Sequence, residues 1–407
     1  MTIAEFPALL DKARALADRF ALSASHYDET GNFPFVNFDA LFEAGLLRLT
    51  ASRENGGYGG GLIEAQAIVA EIARGEPSTA LVLAMHYNHH HGIGTGSKWP
   101  RHLVERVSRA NLEGVALLNA AQVEPRIGSP SHGHPPETIA RRHGAAWRIS
   151  GRKQYATGIP ALKWVSVLAI TDEPEPRIAS FLVPTNAKGL HIAETWNPIG
   201  MRATASHDII LDEVEVAIDD IIDPQPASAG LKRDEAGMAW YFLQIASVYH
   251  GAARAAANWI TGFAADYTPG SLGAPIAALP RIQDGLGEIE IKLASGDRLL
   301  RTAAADADAG RLAGIESAAV KHQVIENAVA ITTLALDLGG NPGLRRDHPL
   351  ERHHRDVVCG RAHAPQNNMI RAMAAKTALA RHSANPAALA EATQPVAQKP
   401  KLAVVGG

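Results

Sequence analysis

The last third of this chain restricts the fold most. From about residue 232 it runs through GAARAAANWITGFAADY, IQDGLGEIEIKLASGDRLLRTAAADADA and AAVKHQVIENAVAITTLALDL, stretches dominated by Ala, Leu and Glu. Such residues lose little on entering a helix, and runs of this kind predict helices of roughly 20 residues or more. Helices that long must hide their apolar faces on one another, so a bundle of long antiparallel helices is expected over residues 229–383.

The rest of the chain divides by texture. Leu9, Leu10, Ala13, Leu16 and Ala17 recur at helical spacing, and LFEAGLLRL and GLIEAQAIVAEIARG repeat the pattern, which predicts an N-terminal α-helical domain over 1–113. Within it, ASRENGGYGGG (51–61) is too rich in glycine for a helix interior and reads as a loop. Between 114 and 228 the runs GVALLNAAQV, WRISGRKQYA, WVSVLAITD, RIASFLVPT and HDIILDEVEV carry β-branched or alternating apolar residues, separated by Pro, Gly and Asp. They predict a central β domain, so the fold class is α+β in three parts. Residues 384–407, rich in Ala, Pro and polar residues, are expected to form a loosely packed tail.

Composition removes several functional classes. The 407 residues carry 39 basic and 42 acidic side chains, a net charge of −3, which gives no footprint for nucleic acid. Cys359 is the single cysteine, so no disulfide framework or Cys-rich metal site is available, and a cytoplasmic location is expected. No stretch approaches the ~20 apolar residues of a membrane span, and MTIAEFPALLDKARALADRF lacks an uninterrupted apolar core of a signal peptide. Membrane and secretion are therefore not expected. The run MHYNHHHG (85–92) places His86, His89 and His90 at i, i+3 and i+4, a spacing that could bring ligands to one helix face, but no carboxylate or HExxH pattern accompanies it and no metal is expected.

Four segments carry a family resemblance. VEPRIGSPSHG (123–133) resembles the flavin-side motif of the acyl-CoA dehydrogenase superfamily, and SGRKQYATGIPALKW (150–164) resembles its next strand pair, whose aromatic residue and Thr lie against the isoalloxazine ring. TWNPIGMRATASHDIILDEVEV (195–216) resembles the Gly-Met-Arg segment and its following strand, and LGGNPGLRRDHPLERHHRD (338–356) the Gly-Gly turn and Arg-Asp helix. The order and spacing are the family's, over about residues 5–380. The resemblance implies an N-terminal helical domain, a central β-sandwich-like domain and a C-terminal four-helix bundle, assembled as a homotetramer around FMN or FAD. It implies cofactor contacts from Val123, Ser129, Tyr155, Ala156, Thr157, Gly339 and Gly340, with Trp196 as a substrate wall. The residue types suit the task independently, since Tyr155 offers a ring face and Thr157 and Ser129 offer hydroxyl donors to a flat tricyclic ring.

Departures from the family pattern point to the chemistry. A dehydrogenase of this type removes an α-proton with a carboxylate, but the position that resembles it is Ala364, and the alternative position on the first bundle helix is Tyr241. DYTPGSLGAP (266–275) lacks the Arg expected at a neighbouring subunit's FAD pyrophosphate, and Leu336 replaces a Gln before the Gly-Gly turn, which favours FMN. RHHRDVVCGRAHAP (352–365) and STALVLAMHYN (78–88) instead resemble segments of two-component flavin monooxygenases of the dibenzothiophene and alkylsulfone types. That resemblance implies catalytic roles for His363 and His86 beside a C4a-peroxyflavin, a separate flavin reductase as partner, and a small-molecule substrate whose identity the sequence leaves open. An acyl-CoA dehydrogenase that desaturates an acyl-CoA with FAD, and a non-catalytic flavin- or acyl-CoA-binding relative, are the alternative readings.

Overall fold

Leu9, Ala13, Ala17 and Phe20 fall on one stripe of the first helix, α1 (Glu5–Ala21), and all four are buried. This computed structural model describes residues 5–94, 98–129, 134–230, 234–312 and 314–383. The expected tail (384–407) lies outside them, as do residues 130–133 of the first flavin-side segment.

Helices α2 (Ala24–Thr30), α3 (Phe35–Glu43), α4 (Leu62–Gly75), α5 (Pro77–Gly94) and α6 (Arg101–Glu113) complete the first part. Two of them have caps that fix their direction. The Glu76 carboxylate accepts from Ser78 N–H at 3.1 Å, ahead of α5. Asp308, far along the chain, accepts from Leu62 N–H at 2.7 Å and Ile63 N–H at 3.0 Å, so the bundle itself caps α4. The 51–61 stretch is a loop with one short 3₁₀ turn, Arg53–Asn55.

Eight strands form one hydrogen-bonded sheet: β1 (Leu117–Ala121), β2 (Ile139–His143), β3 (Ala146–Lys153), β4 (Leu162–Thr171), β5 (Arg177–Pro184), β6 (Leu190–Ala193), β7 (Asp208–Ala217) and β8 (Ile221–Pro226). Their order is β6-β7-β3-β2-β4-β5-β8, with β1 also on β4. β4 is a nearly continuous apolar run with parallel partners β1 and β2, and most of its residues are buried, as expected of a strand covered on both faces.

The bundle consists of α7 (Glu235–Asp266), α8 (Pro280–Asp308), α9 (Gly314–Gly343), α10 (Leu350–Val358) and α11 (Asn367–Ser383). Asp234 caps α7 by accepting from Gly237 N–H at 3.0 Å, and the helix then runs 32 residues, about 48 Å. It packs along α9 and α8 on one side and against α4 and α5 on the other, while α10 closes on α7 and α9. The three parts therefore meet where α5 packs on α7 and β1 and where Gly200 and Met201 touch α10. Among the described residues no helix is long and apolar enough to cross a membrane.

Candidate active site

The turn after β3 supplies one wall of the convergence. Tyr155 adopts a left-handed φ of 58°, and its side chain is left 55% exposed. Its ring meets Trp196 edge to face, with centroids 6.2 Å apart. Trp196 is itself fixed: its indole N–H donates to Met201 O at 3.1 Å, and its backbone N–H donates to His207 Nδ1 at 3.1 Å. Ala156 N–H donates to His207 O, Thr157 N–H to Tyr155 O and Gly158 N–H to Thr204 O. The Thr157 amide is thus spent within the turn and is not free for the pyrimidine edge of a flavin. Ser206 Oγ donates to Thr157 Oγ1 at 3.0 Å, which leaves the Thr157 hydroxyl proton for a ligand. A strained, half-exposed tyrosine beside a tryptophan and a hydroxyl donor is a donor set that fits a planar aromatic cofactor.

A buried ion pair braces the loop beneath that wall. Lys153 Nζ donates to Glu124 Oε1 at 2.6 Å, and Glu124 also accepts from Thr138 Oγ1 at 2.6 Å, Glu137 N–H at 2.7 Å and Thr138 N–H at 3.0 Å. Gln154 N–H donates to Val123 O at 2.9 Å, so the segment carrying Val123 and Ser129 is laced to β3. Ser129 is partly buried at the edge of the described residues.

A second aromatic group stands on the bundle side. His363 follows α10, and its Nδ1 lies 3.1 Å from Tyr249 Oη, while the Tyr241 and Tyr249 rings stand edge-on to the imidazole at 6.1 and 6.2 Å. Burial pushes the imidazole down to about 3, helped by the charge of Lys321, so His363 is neutral at neutral pH. Burial likewise pushes the Tyr241 phenol up to about 12. Among the described residues no carboxylate hydrogen-bonds to His363, Tyr241 or Tyr249. Lys321, completely buried on α9, donates to the carbonyl oxygens of His363 and Pro365, each at 2.9 Å, and so grips the backbone on both sides of Ala364.

The histidine run on α5 separates into distinct roles. His86 is fully buried with Nε2 3.0 Å from Leu47 O, and its ring packs on His90 with centroids 4.3 Å apart. Burial holds it down to about 4. Among the described residues its hydrogen-bond and ring partners are Leu47, Asn111 and His90. His89, one turn on and partly exposed, connects to the flavin-side residues: its side chain hydrogen-bonds to Asn119, whose Nδ2 donates to Thr157 O at 3.0 Å. His91 stacks on Trp240 of α7 at 3.6 Å. Helical spacing marked the cluster, but it did not single out His89 as the member bonded to Asn119. Among the described residues no three His, Cys, Asp or Glu side chains are gathered as metal ligands.

The Arg-Asp pair joins the walls. Asp356 is buried and accepts from Met201 N–H at 2.5 Å, while Arg355 holds Asp28 and Glu351, each at 2.6 Å, and donates to Ile199 O at 2.7 Å. Burial raises Asp356 to about 7. Gly200 lies directly on this helix: a Cβ there would stand 2.3 Å from Arg355 O, so only glycine fits. Gly339 and Gly340 are elsewhere. Gly339 packs by Trp259 and Ile260, about 16 Å along α7 from Tyr249, and Gly340 breaks α9 at φ 57° and ψ −145°, a conformation open to glycine alone. Within one chain they do not join the His363 wall.

Comparison with known proteins agrees with this layout. Residues 4–95, 120–214 and 229–379 match the family descriptions "Acyl-CoA dehydrogenase, N-terminal domain", "middle domain" and "C-terminal domain", respectively. The chain is 32% identical over 364 residues to putative acyl-CoA dehydrogenase YdbM of Bacillus subtilis (strain 168), covering 89% of this chain and 94% of that one. It is 27% identical over 373 residues to the L-evernosamine nitrososynthase of a Micromonospora species, covering 86% and 85%. Among solved structures it is similar to KijD3 in complex with FMN and dTDP-3-amino-2,3,6-trideoxy-4-keto-3-methyl-D-glucose, at 26% identity and a TM-score of 0.80, covering 93% and 95%.

Proposed function

This chain belongs to the acyl-CoA dehydrogenase superfamily of flavin-dependent oxidoreductases, and we propose that within it the protein is an oxygen-using monooxygenase that takes reduced flavin from a separate reductase. The observation that carries this reading is the chemistry of the His363 wall: a neutral imidazole and two protonated phenols stand where α-proton removal would require a carboxylate. The nitrososynthase relative and the FMN-bound KijD3 support it.

Flavin, FMN in preference to FAD, supplies the redox chemistry when bound. Tyr155 and Trp196 would offer the aromatic wall, and the Thr157 hydroxyl would be the donor to the cofactor. With Tyr249 donating to Nδ1, the single imidazole proton of His363 sits on Nε2, where it would be available to a reacting group. Lys321 holds the backbone that carries His363, and His89 acts through Asn119 on the carbonyl of Thr157. Trp196 serves as a substrate wall, and a homotetramer is the assembly expected from the family.

A second reading, acyl-CoA dehydrogenation, is favoured by the similarity to YdbM and by one buried carboxyl, Asp356, which acts electrostatically on Tyr249. Its Oδ1 is already engaged by Met201 N–H. The two readings separate in rapid mixing. Transfer of oxygen to a small-molecule substrate from reduced flavin and O₂ supports the first, and anaerobic bleaching of oxidised flavin by an acyl-CoA thioester supports the second and overturns the first.

A further inference from the structure

A cavity of about 370 Å3 opens between the α1–α2 corner, the middle of α7 and the start of α10, with neither Tyr155 nor His363 in its walls. Its chemistry is dictated by the first turn of α10. Among the described residues the backbone N–H groups of Leu350, Glu351 and Arg352 find no acceptor; the first N–H of this helix to do so is that of His353, which donates to Pro349 O at 3.0 Å. Unpaired N–H groups and the positive end of the helix dipole favour an anion there.

Arg352 adds an independent reason. It lines the cavity at only 6% exposure, it makes no hydrogen bond or ion pair with any described residue, and its Nε is enclosed without a partner. His353, at 3% exposure, likewise presents an unpartnered Nδ1, and Arg346 stands on the rim. A buried guanidinium without partners is costly, and its planar fork matches phosphate oxygens.

The cavity's carboxylates do not supply that partner. Asp28 and Glu351 are both held by Arg355, and Asp347 is held by Arg345. Arg74 is tied to Asp18 and Glu71. Asp356, one turn past Arg352, lies within electrostatic reach of it but gives its hydrogen bond to Met201 N–H and makes none with the guanidinium. Glu29 is the one lining carboxylate without an ion-pair partner among the described residues.

We propose that this cavity binds a small organic phosphate, received by the N–H groups of Glu351 and Arg352 and by the Arg352 and Arg346 guanidinium groups, with the organic part against Leu22 and Ala255. The volume exceeds the need of a bare ion and falls in the range of small-molecule pockets.

The test is calorimetric titration of the full-length protein with inorganic phosphate and with glycerol 3-phosphate at constant ionic strength. Saturable binding is expected, tighter for glycerol 3-phosphate. Arg346→Ala weakens it by about tenfold, the loss of one charge-assisted contact, and Glu29→Gln tightens it by about twofold through removal of a rim charge. Arg352→Gln abolishes it; because that side chain is buried, the decision rests on the two rim variants. Weakening by one together with tightening by the other supports the site. Absence of saturable binding, or any other pattern in the rim variants, overturns it.

Discussion

Lys153 and Glu124 form an ion pair in which neither side chain reaches water, 0% and 1% exposed, with 2.6 Å between Nζ and Oε1. Burial lowers the lysine, while Lys153, Thr138 and the Glu137 N–H together outweigh burial and keep Glu124 below the usual carboxylate range. Removing one partner leaves an uncompensated charge, so Lys153→Met is expected to lose about 3–5 kcal/mol. The Lys153→Met/Glu124→Leu double variant should recover part of that. Urea unfolding measures both; a loss below ~1 kcal/mol in the single variant would show the pair to be dispensable.

Tyr249→Phe removes the hydroxyl that fixes the His363 tautomer but leaves the flavin wall untouched. Product formation should fall by about tenfold, and His363→Ala should cost ~10²- to 10⁴-fold, with flavin affinity changed only a few-fold in each. Unproductive peroxide release should rise as product falls. Equal losses of flavin affinity and turnover would instead make this pair a structural support.

Stability should fall as the solution is acidified below about pH 6.5. Burial holds His86, His89 and His91 at about 4, and His353 and His363 at about 3, so the unfolded chain takes up protons that the folded one refuses. Stability from these groups is present above the unfolded value near 6.5 and is lost as pH falls toward 4. Asp356 runs the other way: its folded value, raised to about 7, makes folding more favourable as pH falls from 7 toward 4, but it is one group against these imidazoles and His90, which burial also lowers. Calorimetric melting between pH 5 and 7 should therefore show a midpoint that drops with acid, with a shallower slope in His353→Gln by up to about 1.4 kcal/mol per pH unit. A midpoint that rises on acidification would mean these imidazoles are not buried in solution.

FMN should bind at least as tightly as FAD. The 266–275 segment carries no Arg and position 336 is Leu, so two contacts expected for a dinucleotide pyrophosphate are missing. Fluorescence titration decides: FAD binding tenfold or more tighter than FMN, a gap of ~1.4 kcal/mol, counts against it.

How much of this could be read from sequence depended on whether local pattern carried the information. The long helices α7, α8 and α9 and the apolar run of β4 follow from periodicity, and the KQYATG turn announced Tyr155 and Thr157 through its residue types. The histidine run did not resolve, because which face of α5 meets β1 and which meets Leu47 depends on partners far away in sequence. Lys321 was silent for a related reason. Its only signal was a charge on the apolar stripe between Ala318 and Ile325, and the carbonyls it grips lie more than 40 residues downstream. Asp308 capping α4 is equally invisible to a local reading.

The contact at Gly200 bears on how a substrate can get in. With the backbone of the β domain seated on the Arg355 carbonyl, and Met201 N–H fastened to Asp356, the two parts have no slack along this seam. They cannot part like jaws without breaking a buried hydrogen bond and losing tight backbone packing. Entry to the face of Tyr155 and Trp196 by opening this seam is therefore costly, and variants that admit larger ligands should be sought among the side chains around that face rather than at the seam.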